Sequence, residues 1–291
     1  MTRVAAVDVG GTTVKAAVYE PVGDGLTRVA ELRRPTARGA EPGIAVADQV
    51  AAMIGELGLP VDAAGVVVPG VVHNGLAEFS ANLGFRDVPM ADLLAERLAM
   101  PVAFGHDVTA GGVAEHRLGA ARGFDDIAFV PVGTGIAASL LLAGRPYRAD
   151  GRAGELGHVD IGHDDVCGCG ATGCLEAVAS AAAIARRYTE RSGIPVDGAR
   201  EVVARQGDPD ADAVIAEAVD ALAAALRLLA TLLAPEVVVF GGGLFEAPGL
   251  LERVDEQTKL TFQRKPLLRR AELGDEAGCL GAGLLALGAA R

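Results

Sequence analysis

The residues in this chain that could do chemistry are concentrated between Gly154 and Glu176, in the segment GELGHVDIGHDDVCGCGATGCLE. Cys167, Cys169 and Cys174 lie within eight residues of one another, and His158 lies nine residues before the first of them. Three thiols and one imidazole are the donor set of a closed tetrahedral zinc site. Soft thiolates with one nitrogen favour zinc over harder cations. Glycines at 168, 170 and 173 let the backbone fold tightly enough to aim three sulfurs at one point. The remaining cysteine, Cys279, is more than a hundred residues downstream. His158 is therefore the natural fourth ligand, with His163 as a competitor. Four protein ligands leave no open position, so the metal is expected to be structural. Its expected role is to fix the segment between Glu155 and Glu176, the two glutamates flanking it. The same glycines spell G-x-G-x-x-G, but a dinucleotide site requires a strand before that motif and a helix after it. An acidic segment with cysteines at the variable positions does not supply that setting.

Two further sets of residues could handle an anion. Asp8 ends an apolar run and is followed by Gly10-Gly11-Thr12-Thr13. Glycines let backbone N–H groups approach a phosphate, and hydroxyls add donors. The stretch is equally readable as a Gly-Gly turn capped by the acid. No G-x-x-x-x-G-K-[ST] loop is present, the lysines being Lys15, Lys259 and Lys265. Asp107 follows the apolar Val102-Ala103-Phe104 and precedes small residues. There it can cap a helix, or it can be a reactive group at the end of a strand in an α/β protein. Gly241-Gly242-Gly243 follow VVVF and can admit a flat ligand such as a nucleoside, or make a plain turn.

These groups need a framework. Residues 4–9 read as a buried strand, 10–13 as a turn and 14–19 as a second strand, a hairpin. The layout returns at 127–132 (strand), Gly133-Thr134-Gly135 (turn) and 136–142 (strand). Two such hairpins about 120 residues apart point to a duplicated domain with a cleft between the halves. Helices are expected over 41–59, 91–98, 176–190, 210–234 and 276–290. Residues 65–72 form an apolar run broken at Pro69-Gly70, where a strand end can face a ligand. Residues 79–85, which carry Asn82, read as a loop.

Of the 291 residues, 51% are hydrophobic, enough for a sizeable core, and the formal net charge is −12. An acidic chain lacks the basic footprint of a nucleic-acid binder. The cysteine usage suits a reducing cytoplasm. The N-terminus shows no signal-peptide pattern. The longest apolar stretch, 218–234, carries Asp220 and Arg227 and reads as a buried helix rather than a membrane span.

Taken together, the motifs resemble the ROK family of repressors, open reading frames and sugar kinases. The resemblance is carried by Asp8-Val9-Gly10-Gly11-Thr12, Pro69-Gly70, Asp107, Val132-Gly133-Thr134-Gly135, G-E-x-G-H at 154–158, C-x-C-G-x-x-G-C-x-E at 167–176 and Gly241-Gly242-Gly243. It implies an actin-like ATPase (ribonuclease-H-like) fold, two α/β domains with a central cleft. A small domain would comprise residues 1–108 with the last helix, 277–291, and a large one 109–276 with the zinc loop. By that resemblance Asp8, Gly10, Gly11 and Thr12 meet the phosphates of ATP and its Mg2+, as do Thr134 and Gly135, while Gly241, Gly242 and Gly243 hold the adenosine. Asp107 is the implied catalytic base. Gly70, Asn82, His106, Glu155, His158 and Glu176 are the implied sugar contacts. The family's sugar kinases usually carry asparagine before the catalytic aspartate, where this chain has His106. The resemblance further implies a cytoplasmic enzyme, commonly a dimer. Glucose is the default acceptor, and N-acetylmannosamine, N-acetylglucosamine and other hexoses are alternatives. The family's repressors carry an added N-terminal helix-turn-helix, and here the first strand begins at Val4. A sugar-sensing protein without catalysis is the other rival.

Overall fold

A computed structural model describes residues 2–261 and 263–290, which fall into two compact units. The first comprises the chain up to Leu118, the segment Arg148–Ala153 and the chain from Asp275 onward. The second comprises Gly119–Tyr147 and Gly154–Gly274.

In the first unit β1 (Val4–Val9) and β2 (Thr13–Val22) form the expected hairpin, with β3 (Gly25–Pro35) added antiparallel to β2. After α1 (Pro42–Glu56), β4 (Ala63–Val68) enters parallel to β1. All six of its residues are buried, the apolar run expected of a central parallel strand. Residues 71–88 form a small antiparallel sheet of β5 (Val71–His73), β6 (Leu76–Ser80) and β7 (Phe85–Val88). The loop expected over 79–85 is therefore shorter: Phe79 and Ser80 end one strand, Phe85 begins the next, and Asn82 sits in the four-residue turn between them. Next, α2 (Met90–Arg97) leads to β8 (Val102–His106), parallel to β4, and α3 (Asp107–Leu118) starts at once. The main sheet has the order β3-β2-β1-β4-β8. The C-terminal helix, Ala277–Ala289, packs on it through small residues. A Cβ on Gly281 would collide with the Ala110 carbonyl of α3, so α3, which the sequence reading set at the start of the larger domain, is packed in this unit.

The second unit repeats the plan. Strands β9 (Ile127–Pro131), β10 (Ser139–Leu142) and β11 (Arg145–Tyr147) make the antiparallel part of its sheet. The helices α4 (Leu175–Ala179), α5 (Ala181–Ser192), α6 (Ala199–Ala204) and α7 (Pro209–Leu232) follow. Strand β12 (Val237–Gly241) then runs parallel to β9, and after α8 (Leu250–Gln257), β13 (Leu267–Arg270) runs parallel to β12. The order β11-β10-β9-β12-β13 matches the first sheet strand for strand. The duplication read from the two hairpins thus extends over whole sheets.

One helical expectation needed adjustment. The helix expected over 176–190 is two helices broken at Ser180, whose hydroxyl accepts from the Ala183 N–H. The break lets the Ala181 N–H donate to the Gly133 carbonyl, 2.8 Å away, tying the helix start to the glycine turn. The apolar stretch at 218–234 lies mostly in α7, capped by Asp208 and buried along one side in the unit's core. No helix among the described residues is long and apolar enough to cross a membrane.

Candidate active site

In the first unit the acids end parallel strands. Asp8 lies one residue from the end of β1, and Asp107 begins α3 directly after β8. Burial, then the charge of Asp107, push the Asp8 carboxyl up to about 7, with Lys15 opposing them. Gly278 of the C-terminal helix makes room for the Asp8 carboxylate, which a Cβ there would meet at 2.7 Å.

Asp107 is held firmly. Its Oδ1 accepts from the Val108 N–H at 2.7 Å and lies 3.1 Å from His106 Nε2. The other ring nitrogen, Nδ1, is 3.1 Å from the Thr109 hydroxyl. A Thr109 O–H donated to Nδ1 puts the ring proton on Nε2, where it points at Asp107. Both contacts then fall on Oδ1, and Oδ2 has no hydrogen-bond partner among the described residues.

Next to the acids, the Gly10 N–H donates to the Thr13 carbonyl at 2.9 Å and closes the glycine turn. A Cβ on Gly11 would meet the Asn82 side chain at 2.9 Å, so the 81–84 turn lies against it. Arg38 bridges the two, donating to the carbonyls of Gly11 and Asn82. Thr36, buried, donates to the Gly10 carbonyl at 2.7 Å. Thr12 is exposed, with its carbonyl accepting from the Thr36 N–H. Gly70 has φ 108°, and a side chain there would collide with the Phe79 carbonyl. The first unit therefore gathers Asp8, Gly10, Gly11, Thr12 and Asn82 around one turn, with Asp107 close enough to shift Asp8.

In the second unit the glycines of G-E-x-G-H are dictated by contact. Cβ atoms at Gly154 and Gly157 would collide with the carbonyls of Ala138 and Ile136. The Ala138 N–H also donates to the Gly154 carbonyl at 2.7 Å. That attachment explains why the strand expected over 136–142 begins only at Ser139: residues 136–138 are committed to the 154–157 segment. Glu176 Oε2 accepts from the Ile136 N–H at 2.8 Å, and a Cβ on Gly135 would meet the same oxygen at 2.5 Å. Glu176 is thus locked to the Gly133-Thr134-Gly135 turn.

His158 joins the other two groups. Its Nε2 lies 4.0 Å from Glu155 Oε2, while its Nδ1 lies 3.8 Å from Cys167 Sγ. Cys169 and Cys174 sulfurs are 3.7 Å apart. One ligand atom from each of His158, Cys167, Cys169 and Cys174 lies within 4.8 Å of all the others, a group able to hold a metal ion. Burial pushes the Cys174 thiol up to about 12, so a cation is what would hold it as a thiolate. The competitor His163 turns elsewhere: its Nδ1 pairs with Asp165 at 2.8 Å, and Arg187 lies against Nε2 at 3.3 Å.

Gly241 sits against the Phe129 ring, and Gly242 takes φ 88° beside the Val132 carbonyl. Gly243 and Thr134 line a cavity of about 390 Å³ with Asp197, Gly198, Arg200 and Ala181. Arg200 crosses its mouth: a Cβ on Gly243 would meet the guanidinium at 2.6 Å, and the side chain pairs with Glu246. The sequence reading missed Arg38, Thr109 and Arg200. None stands in a recognisable motif, and each matters only through what the fold brings next to it.

A model of the ROK family matches residues 4–289. A glucokinase from Halalkalibacterium halodurans is 31% identical over 96% of this chain and 93% of its own. An N-acetylmannosamine kinase from Yersinia pseudotuberculosis is 33% identical over 97% of both chains. Among solved structures, a ROK hexokinase from Thermus thermophilus covers 98% of both chains with a TM-score of 0.84 at 35% identity. A ROK family glucokinase from Streptomyces griseus, in complex with glucose and AMPPNP, covers 98% of this chain and 99% of its own, with a TM-score of 0.83 at 29% identity.

Proposed function

Because the chain belongs to the ROK family and has the actin-like ATPase fold of a sugar kinase, we propose that it transfers the γ-phosphoryl group of ATP to a hexose, with glucose first among the candidates and Asp107 as the base. The observation that carries this reading is the geometry at Asp107: one carboxylate oxygen engaged by Val108 and His106, the other available to a hydroxyl.

In this mechanism Asp107 Oδ2 accepts the proton of the sugar hydroxyl as that oxygen attacks the γ-phosphorus, and the bond to the β-phosphate oxygen breaks. Phosphoryl transfer needs little covalent help beyond positioning and charge stabilisation. Backbone N–H groups of the Gly10-Gly11-Thr12 and Gly133-Thr134-Gly135 turns supply donors to the phosphates. Magnesium bound with ATP supplies neutralisation of phosphate charge, and Asp8 is the residue fitted to it, since a carboxyl made reluctant to ionise by burial and by Asp107 is relieved by a cation. Gly241, Gly242 and Gly243, with the cavity beside Arg200, receive the adenosine. A cavity of about 390 Å³ lies within the range of small-molecule sites.

Gly70, Asn82, His106, Glu155, His158 and Glu176 take the sugar hydroxyls. Zinc is the metal suited to the Cys167, Cys169, Cys174 and His158 group. A tetrahedron with sulfur about 2.3 Å from zinc has sulfur-to-sulfur edges of about 3.8 Å. The 3.7 Å between Cys169 and Cys174 fits such an edge, and the 3.8 Å between Cys167 Sγ and His158 Nδ1 lies near the sulfur-to-nitrogen edge of about 3.6 Å. With Nδ1 on the metal, Nε2 is left facing Glu155 and can donate to the sugar. The zinc would then orient the recognition groups without entering the reaction. The acidic chain fits a small-molecule enzyme of the cytoplasm rather than a DNA-binding regulator, and a homodimer is the assembly to look for.

The test is ADP release with ATP and magnesium over a panel of hexoses and N-acetylhexosamines. Highest kcat/KM with glucose supports the reading. Preference for N-acetylmannosamine would transfer the assignment to an N-acetylhexosamine kinase. No turnover in folded, zinc-loaded protein would favour a sugar sensor.

A further inference from the structure

The second unit carries a cavity that the proposed reaction does not use. It has a volume of about 420 Å³ and lies between the end of α6, the first turns of α7 and the start of α8. Its walls are largely apolar, with Val202, Val203, Ile215 and Leu250 among them. Two opposite charges face it, Asp212 from α7 and Arg253 from α8. They do not pair with each other, and neither has an ion-pair partner among the described residues. Asp212 accepts from the Gly207 N–H at 3.2 Å, and a carboxylate has room for further donors. A molecule that joins these two charges must carry an anion and a cation close together, and an apolar body for the walls. Those are the features of an α-amino acid with an apolar side chain. An anion without a cation would face Asp212 unpaired, and a sugar would gain little from the apolar walls. The volume is in the range of small-molecule sites.

Helix α6 connects this cavity with the one assigned above to adenosine. The helix has six residues, fewer than two turns, and its buried residues are Ala199 and Val202. Ala199 and Arg200 line the adenosine cavity, while Val202 and Val203 line this one. A smaller cavity between the two shares Arg200 with the first and Val203 with the second. One short helix is thus a wall of both. A ligand held against Val202 and Val203 fixes the backbone that carries Arg200. Both ligands then favour the same placement of α6, so the coupling between them is positive and reciprocal.

We propose that this cavity binds a free apolar α-amino acid as its zwitterion, carboxylate on Arg253 and ammonium on Asp212, and that its occupation tightens nucleotide binding through α6. The coupling rests on the adenosine assignment above, and the binding does not. The experiment is calorimetry with leucine, isoleucine and phenylalanine on wild type, Arg253→Gln and Asp212→Asn. The N-acetyl and amide derivatives of each amino acid serve as probes that lack one charge. AMPPNP binding is then measured with and without a saturating amount of the tightest amino acid. The expected result is binding to wild type that weakens about tenfold or more in each variant, the loss of a hydrogen-bonded charge. The N-acetyl derivative, which has no ammonium, should bind wild type more weakly than its parent and lose nothing further in Asp212→Asn. AMPPNP should bind about fivefold or more tightly when the amino acid is present. No binding of any of the three, binding unchanged in both variants, or displacement of the amino acid by AMPPNP would each overturn the proposal. Equal AMPPNP affinity with and without the amino acid would overturn the coupling. If AMPPNP does not bind at all, the adenosine assignment fails, while amino acid binding that weakens in both variants still upholds the site.

Discussion

Replacing Asp8 by asparagine should make the protein more stable above neutral pH while removing its activity. An ordinary aspartate titrates near 3.8, and burial with the Asp107 charge raises Asp8 to about 7. A carboxyl with a raised folded-state pKa contributes stability that is complete below its unfolded pKa and is lost as pH rises through the folded value. The window runs here from about pH 4 to about pH 7. At pH 5.5 roughly 1.5 units of that penalty are still to come, and at 1.36 kcal/mol per unit this is about 2 kcal/mol. Asparagine keeps the shape and never ionises. The advantage of Asp8→Asn over wild type should therefore be about 2 kcal/mol larger at pH 8.5 than at pH 5.5. The assay is urea unfolding at both pH values, in magnesium- and nucleotide-free buffer. It is followed by far-ultraviolet circular dichroism, since the chain has no tryptophan. A difference between variant and wild type that is the same at both pH values would refute the reasoning, because it would mean that the carboxyl ionises in the fold as easily as in the unfolded chain.

Other expectations concern the second unit. Cys169→Ser should abolish stoichiometric zinc, measured by atomic emission, and raise the sugar KM at least tenfold while moving the ATP KM much less, because His158 and Glu155 lose their anchor. Gly157→Ala should cost about 1–3 kcal/mol or more of unfolding free energy, since its Cβ would collide with the Ile136 carbonyl and press on Glu176; an unchanged melting temperature would show the segment to be adaptable. Arg200→Ala should change the ATP KM several-fold and leave the sugar KM in place, as judged from initial rates with each substrate varied. Equal effects on both would remove Arg200 from the nucleotide pocket.

Much of the fold was readable because its signals are local. The strand, glycine turn and strand at 4–19 and again from 127 announce themselves in the order of residue types, and the matching sheet orders follow from that repeat. The metal-binding group was equally plain, since four candidate ligands lie within seventeen residues. What the sequence hid depends on partners distant along the chain. Ser180 is a common helix-capping type, but the reason it breaks the helix here lies in the Gly133 carbonyl that Ala181 must reach. The late start of β10 comes from Gly154 and Gly157 claiming residues 136–138. Histidine in place of the family's usual asparagine at 106 read in the sequence as a changed sugar contact. With Thr109 at one nitrogen and Asp107 at the other, it is also a means of orienting the base. Arg38 and Arg200 stand in no motif, and only the fold gives them carbonyls and a pocket to serve.

The measurement that tests the central claim most directly is phosphorylation of glucose by wild type and Asp107→Asn, with glucose binding measured in parallel by calorimetry. The account predicts that the variant still binds glucose and contains zinc, while kcat falls by about 10²- to 10⁴-fold, the usual contribution of a positioned base. A variant that turns over glucose at a rate near wild type would contradict it, because the proton would then have another acceptor and Asp107 would be only the cap of its helix.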